Sequence, residues 1–334
     1  MKYLVPIQPS KATGLVAEVY SQIKEDFGRI VEPFTLHSPK PLLLAGVWMA
    51  ARESELVGQV PRETKEAIAA SISKVNQCPY CVDAHTIMIR AAGERKNAKL
   101  IAQEKYDQIQ PEQTKKIVKW ALSSLSPKSE LILSPPFEKR DRSEIIGTAV
   151  FYHYINPLVT LFLGNSPLPV PFFKNQMKTI ASHIFKKAVN RSKIPGSSLT
   201  LLPQRKVTID LSWTKESPNI YGAFSRLAGV ISDIEKSVVP KQTVQIVEQY
   251  LKDWPKKKQE IGSNWINEIT NKIDSQPNAA TALALMTIVS PYKITYELIS
   301  NFRKYFPRQN QLLEIPAWAS FTRAIKIGIS LIAS

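Results

Sequence analysis

The sequence predicts an all-α protein, and three observations carry that expectation. Apolar residues recur at helical spacing along almost the whole chain. Strand-like alternation is confined to the short run Val207-Thr208-Ile209. Proline and glycine cut the helical pattern at Pro39, Pro41, Pro61, Pro79, Gly93, Pro111, Pro127, Pro135-Pro136 and a dense cluster from Pro157 to Pro171. After Pro195-Gly196-Ser197-Ser198 a second helical region begins near Pro218, with breaks expected at Pro240, Pro255, Pro277, Pro291, Pro307 and Pro316. The 334 residues are read as a helical domain over 1–164, a basic connector over 165–215 and a second helical unit over 216–334. With 44% hydrophobic residues the chain has material for a packed core and is not a disordered polymer.

Taken in order, Met1 to Pro6 reaches a proline before a signal-peptide core can form, which fits an expected cytoplasmic location. Pro61 suits a first helical position, and Ile68, Ile72 and Val75 make an apolar stripe on the helix that follows, with Glu66 inside it. Asn76 and Gln77 close that helix. Cys78 is expected at the N-cap of the next one, Pro79 at its first position, and Gly93 just past its end. Ile145 to Leu163 carries no Asp, Glu, Lys or Arg and is long enough to span a bilayer. Its His153, Asn156, Pro157 and two tyrosines mark it instead as a buried helix of a soluble protein.

A faint internal repeat supports two copies of one helical unit. Val60-Pro61-Arg62-Glu63-Thr64 resembles Val239-Pro240-Lys241-Gln242-Thr243, and the run Ala121 to Pro127 resembles Ala284 to Pro291. Glu144-Ile145 with Phe151 and Ile155 lines up with Glu314-Ile315, Phe321 and Ile325. The second copy is degenerate: Gln245 stands where Glu66 would, Lys257 where Cys78 would, and no cysteine follows Cys81.

Lys+Arg 44 against Asp+Glu 28 gives a net charge of +16. Between Asn165 and Ile209 there are eight basic residues and no acidic one, interleaved with Phe172, Phe173, Ile180, Ile184 and Phe185. This reads as a linker helix with a solvated lysine face, with contact to an anionic membrane surface as the functional alternative. No nucleic-acid recognition motif accompanies it.

Both cysteines of the chain lie in Gln77-Cys78-Pro79-Tyr80-Cys81-Val82-Asp83-Ala84-His85. On a helix starting at Pro79, Cys78, Cys81 and His85 share one face. Free N–H groups and the dipole at a helix start stabilise an anion, so the thiol pKa there is expected to fall below about 8.5. The spacing allows a disulfide across one turn, and His85 is placed to take or return the thiol proton. Glu66, twelve residues ahead of Cys78, is placed to orient the imidazole. Helix starts flanked by polar residues are seldom fully buried, so accessible, redox-active thiols are expected rather than two inert core cysteines. Haem attachment would need a histidine where Val82 stands, and zinc would need His37, His153 or a distant carboxylate as a fourth ligand. No metal or cofactor is therefore expected. His37 and His183 read as satisfied core or surface positions, Trp48 as core, and His153 as a secondary candidate for approaching the thiols.

The pattern of Glu66, eleven residues, then Cys78-x-x-Cys81-x-x-x-His85 resembles the signature of the alkyl hydroperoxidase D-like proteins of the carboxymuconolactone decarboxylase superfamily. Pro41-Leu42-Leu43-Leu44-Ala45-Gly46 ahead and Phe151-Tyr152-His153-Tyr154-Ile155-Asn156 behind agree with it. The likeness covers about residues 30–165 and reaches the second half only through the repeat. It implies an all-helical bundle, homo-oligomers with a dimer favoured, and a cofactor-free thiol peroxidase or disulfide reductase. It further implies that Cys81 attacks a hydroperoxide, Cys78 resolves it, Glu66 and His85 relay protons, and a dithiol protein or lipoyl-type donor restores the thiols. Two departures stand out. Tyr80 occupies a position where the founding hydroperoxidases have histidine, and a phenol relays protons less readily at neutral pH. Pro157 follows Asn156 where many relatives have arginine. The rival reading from another class is a non-enzymatic redox sensor or adaptor whose disulfide alters binding through the basic connector.

Overall fold

The computed structural model describes residues 1–168, 174–252, 264–271 and 273–332. Among them there is no strand, and Val207-Thr208-Ile209 has no regular secondary structure. The helices are α1 (Gly14–Phe27), α2 (Glu32–Thr35), α3 (Pro41–Ala51), α4 (Arg62–Val75), α5 (Pro79–Ala91), α6 (Arg95–Ala102), α7 (Glu112–Leu122), α8 (Glu130–Leu133), α9 (Arg142–Phe162), α10 (Lys174–Asn190), α11 (Pro218–Val238), α12 (Lys241–Lys252), α13 (Asn264–Thr270), α14 (Ser275–Val289), α15 (Tyr296–Tyr305) and α16 (Gln309–Ser330).

Local chemistry sets the boundaries near the site. Pro61 is the N-cap of α4, one place earlier than its sequence reading, with Asn76 closing the helix and Gln77 in a left-handed turn. Cys78 then caps α5 and Pro79 opens it; beyond its end Gly93 adopts φ +111, a region that favours glycine. Among the described residues two expected breaks do not occur, because α9 runs through Pro157 and α16 through Pro316, while Pro169, Pro171 and Pro255 lie outside the described residues. Each proline costs its helix a backbone bond, about 3 kcal/mol in an isolated helix interior. Here both sit in helices packed along one another at the centre of the fold, where burial on both sides of the proline keeps the helix continuous.

That α9–α16 contact joins the two sequence halves, and α3 against α11 joins them again. At the first contact Gly328 allows the close approach: a Cβ there would stand 2.7 Å from Val150 Cγ2 and 3.0 Å from Trp213 Nε1. Helix α9 is apolar and long enough to cross a membrane by composition, yet 94% of its most apolar window is buried inside the protein. Trp48 is wholly buried. Gln245 is exposed on α12, while Lys257, Phe172 and Phe173 lie outside the described residues.

The connector returns to the first domain instead of standing apart. Helix α10 lies across α5 and α1. Just beyond it, Gly196 N–H and Ser198 Oγ–H donate to the buried Glu53 carboxylate, each at 2.6 Å. Glu53 and Glu55 belong to a π-helical turn, Arg52–Leu56, that prolongs α3 and whose five residues are all buried. A π turn changes the helical phase at its end, which aims Glu55 at the cleft between α4, α5 and α9.

Candidate active site

Helix α5 carries Cys78, Cys81 and His85 against α4, which carries Glu66. Cys78 and Cys81 form a disulfide, with Cα atoms 5.4 Å apart. The Cys81 N–H also donates to Cys78 Sγ at 3.4 Å, a polar contact at the helix start of the kind that steadies a thiolate. Both cysteines are more buried than a polar-flanked helix start implies, at 1% and 3% exposure. The cause is tertiary: α4 closes one side of α5 and α10 another.

The two cysteines nevertheless line two different hollows. Cys81 lines an apolar cavity of ≈ 130 Å³, walled by Phe34, Met88, Phe151, Ile155 and Phe185, with Glu55, Glu66 and His85 also on its wall. Cys78 lines a more open, polar hollow of ≈ 390 Å³ with Ser73, Lys74, Gln77, Asp83 and Lys178. The two share no lining residue.

His85 Nδ1 lies 2.6 Å from Glu66 Oε2. Arg62 Nε donates to the other carboxylate oxygen at 2.7 Å, one helical turn away on α4. Burial alone would raise the Glu66 carboxyl, but Arg62 and His85 outweigh it and hold it below its ordinary value. An ionised Glu66 can only accept, so His85 Nδ1–H is the donor in this hydrogen bond.

Three partners in this group escape the sequence motif. Arg62 is one. Glu55 is the second: its Oε1 lies 3.8 Å from His85 Nδ1 and 3.9 Å from Arg62 Nη2. Burial, and then the charge of Glu66, push the Glu55 carboxyl up to about 7. Tyr152 is the third, donating its hydroxyl to Glu55 Oε2 at 2.6 Å while its ring stands edge-on to His85 at 4.5 Å. The Arg62–Glu66 spacing of four on a helix was a legible signal, and Tyr152 lies in a flank that already matched. Nothing in the sequence announces that a π turn delivers Glu55.

Tyr80 lines the apolar cavity, but its hydroxyl donates to Glu32 Oε2 at 3.0 Å, away from the Glu66–His85 pair. Burial and Glu32 hold this phenol well above its ordinary pKa, so it retains its proton. His153 is turned from the thiols. Its ring bonds Asn76 Nδ2 at 3.2 Å and Ser124 Oγ at 3.0 Å, and burial lowers its pKa strongly. His37 is a satisfied core histidine on Pro33 O and the Tyr154 hydroxyl, and His183 is exposed. Pro157 stands where the family resemblance leads one to expect arginine, and a buried arginine from elsewhere reaches its neighbourhood. Arg323 of α16 lines a small hollow with Asn76, Gln77 and Pro157 and donates to Asn76 Oδ1 at 3.0 Å.

Glu55, Glu66 and His85 present ligand atoms within 4.8 Å of one another, a spacing that could hold a metal ion. Arg62 and Tyr152 each take one carboxylate oxygen, Glu66 Oε1 and Glu55 Oε2, and the fixed guanidinium beside the group repels a cation. The disulfide sulfurs offer no thiolate ligand.

Residues 43–99 match the carboxymuconolactone decarboxylase family. Over 333 residues, 98% of this chain and 94% of the relative, the chain is 34% identical to a Mycobacterium tuberculosis protein named alkyl hydroperoxide reductase. No solved structure matches it. The family match encloses Glu66, Cys78, Cys81 and His85, and the longer likeness runs through both halves. The chain belongs to the alkyl hydroperoxidase D-like proteins of the carboxymuconolactone decarboxylase superfamily.

Proposed function

We propose that the protein is a thiol-dependent peroxidase and disulfide oxidoreductase, with a hydroperoxide as oxidant and a dithiol protein or lipoyl-type donor as reductant. The observation that carries this reading is the Cys78–Cys81 pair set beside a hydrogen-bonded Glu66–His85 dyad on the wall of an apolar cavity.

His85 takes the Cys81 proton, and the thiolate attacks the terminal oxygen of the hydroperoxide. The O–O bond breaks with its electron pair going to the alkoxide, which leaves as the alcohol with the proton His85 held. Cys81 becomes a sulfenic acid. The Cys78 sulfur then attacks the Cys81 sulfur, the S–O bond breaks, and the hydroxide leaves as water with the Cys78 proton. A donor thiolate attacks Cys78 from the polar hollow, which makes Cys81 the leaving thiolate beside His85. The donor's second thiol attacks the mixed disulfide, freeing Cys78 and leaving the donor oxidised. The net change is hydroperoxide plus dithiol to alcohol, water and disulfide. Such a cycle suits a reducing cytoplasm, and we take a homodimer as the working species.

The test is peroxide consumption with a reduced dithiol present. Cys81→Ser should abolish it, and Cys78→Ser should leave a sulfenic acid at Cys81 that dimedone traps. One stoichiometric oxidation without further turnover would instead favour the sensor.

A further inference from the structure

Helix α10 has two faces of unlike chemistry. Its inner face belongs to the site: Lys178 Nζ pairs with Asp83 at 2.7 Å and donates to the Thr86 hydroxyl at 3.1 Å, and Phe185 helps wall the cavity beside Cys81. Pro167, from the same connector, lines that cavity too. The outer face would be polar on an ordinary solvated helix. Instead Ile180 and Ile184, one turn apart, are 58% and 60% exposed. His183 and Lys187, each about one turn from one of them, are exposed beside them and Lys186 is exposed on the flank of the helix, and no acidic side chain pairs with either lysine among the described residues.

Elsewhere Val5, Leu42 and Leu133 are exposed, one to a segment. Among the described residues the exposed isoleucines are Ile180, Ile184, Ile194 and Ile209, and all four fall in the stretch from Asn165 to Ile209 that holds no acidic residue. Isoleucines beside an unpaired Lys187, with Lys186 on the flank and no acidic residue in the stretch, match the chemistry of an anionic bilayer, which takes the isoleucines at its acyl boundary and the lysines at its headgroups. A second copy fits less well, since a two-fold contact through this face would gather the lysines of both copies in one interface with no acidic residue from the stretch to pair them.

We propose that the outer face of α10 docks on anionic lipid bilayers, and that docking feeds acyl-chain hydroperoxides to the cavity beside Cys81; the second part rests on the peroxidase reading above. The geometry links the two, because one helix both presents the lipid-facing isoleucines and walls the cavity through Phe185.

The test uses the whole protein with vesicles of phosphatidylcholine, with and without phosphatidylglycerol. Co-sedimentation should occur only with the anionic vesicles and weaken as salt rises above about 0.1 M, where the screening length is about 10 Å. The double variant Ile180→Glu, Ile184→Glu, confirmed as folded by circular dichroism, should lose the bound fraction. Its ratio of turnover on vesicle-borne phospholipid hydroperoxide to turnover on tert-butyl hydroperoxide should fall. Equal sedimentation of the two proteins overturns the proposal. So does a self-associated species that the variant abolishes while the wild type fails to bind vesicles. If the wild type binds anionic vesicles but turns over neither peroxide, the peroxidase reading fails and the docking surface stands.

Discussion

Glu55 and Glu66 are two buried carboxyls beside one imidazole, and their surroundings push them in opposite directions. Glu66 stays ionised against Arg62 and His85, whereas Glu55 is poised to hold a proton near neutrality. In the proposed cycle such a split assigns Glu66 to orienting the imidazole and Glu55 to storing a proton. For Glu55 the folded protein binds a proton that the unfolded chain has already released above 4.5. Its contribution to stability therefore declines as pH rises from 4.5 to about 7 and is flat beyond. Glu66 works the other way, its contribution being lost as pH falls through its lowered pKa. Urea denaturation at about pH 5 and about pH 8 should show Glu55→Gln losing less stability over that interval than the wild type. An equal loss would mean that Glu55 does not titrate there. For chemistry, Glu66→Gln and His85→Ala should slow thiol oxidation by about 10²–10⁴-fold in stopped-flow assays while both variants remain folded. Wild-type rates would remove the pair from proton transfer. The motif residues were legible because their spacing within and between two adjacent helices fixes their meeting. Glu55 was not, since its direction is set by a π turn that no residue type announces.

At the scale of elements, the helix starts at α4 and α5 followed from Pro61, Cys78 and Pro79, whose backbone preferences act locally. Pro157 and Pro316 misled because their local cost is overridden by the packing of α9 along α16. The burial of Cys78 and Cys81 was hidden for a related reason, since the covering α10 comes from about a hundred residues downstream. Packing of α9 along α16 can be tested at its tightest point. Gly328→Ala brings a methyl group to within van der Waals overlap of Val150 and should cost about 1–3 kcal/mol. A lowered thermal midpoint with helical content retained is the expected result, and an unchanged midpoint would show that the contact yields.

For the whole molecule, we read the second half as a degenerate copy that supplies packing surface instead of chemistry. Its helix α16 covers α9, and its Arg323 holds Asn76 in the turn that presents Cys78. Residues 1–164 expressed alone should expose the faces of α3 and α9 and self-associate, as size-exclusion chromatography would reveal. A stable, fully active monomer would assign the second half another purpose. Substitution of the exposed Gln245 should leave turnover unchanged. The paired hollows at the disulfide have a kinetic consequence. On the proposed cycle the hydroperoxide uses one hollow and the donor the other, so excess donor should not act as a dead-end inhibitor against hydroperoxide. Initial-rate plots at several donor concentrations should give parallel lines that stay straight as the donor approaches saturation, the signature of a shuttle loaded at one window and unloaded at another.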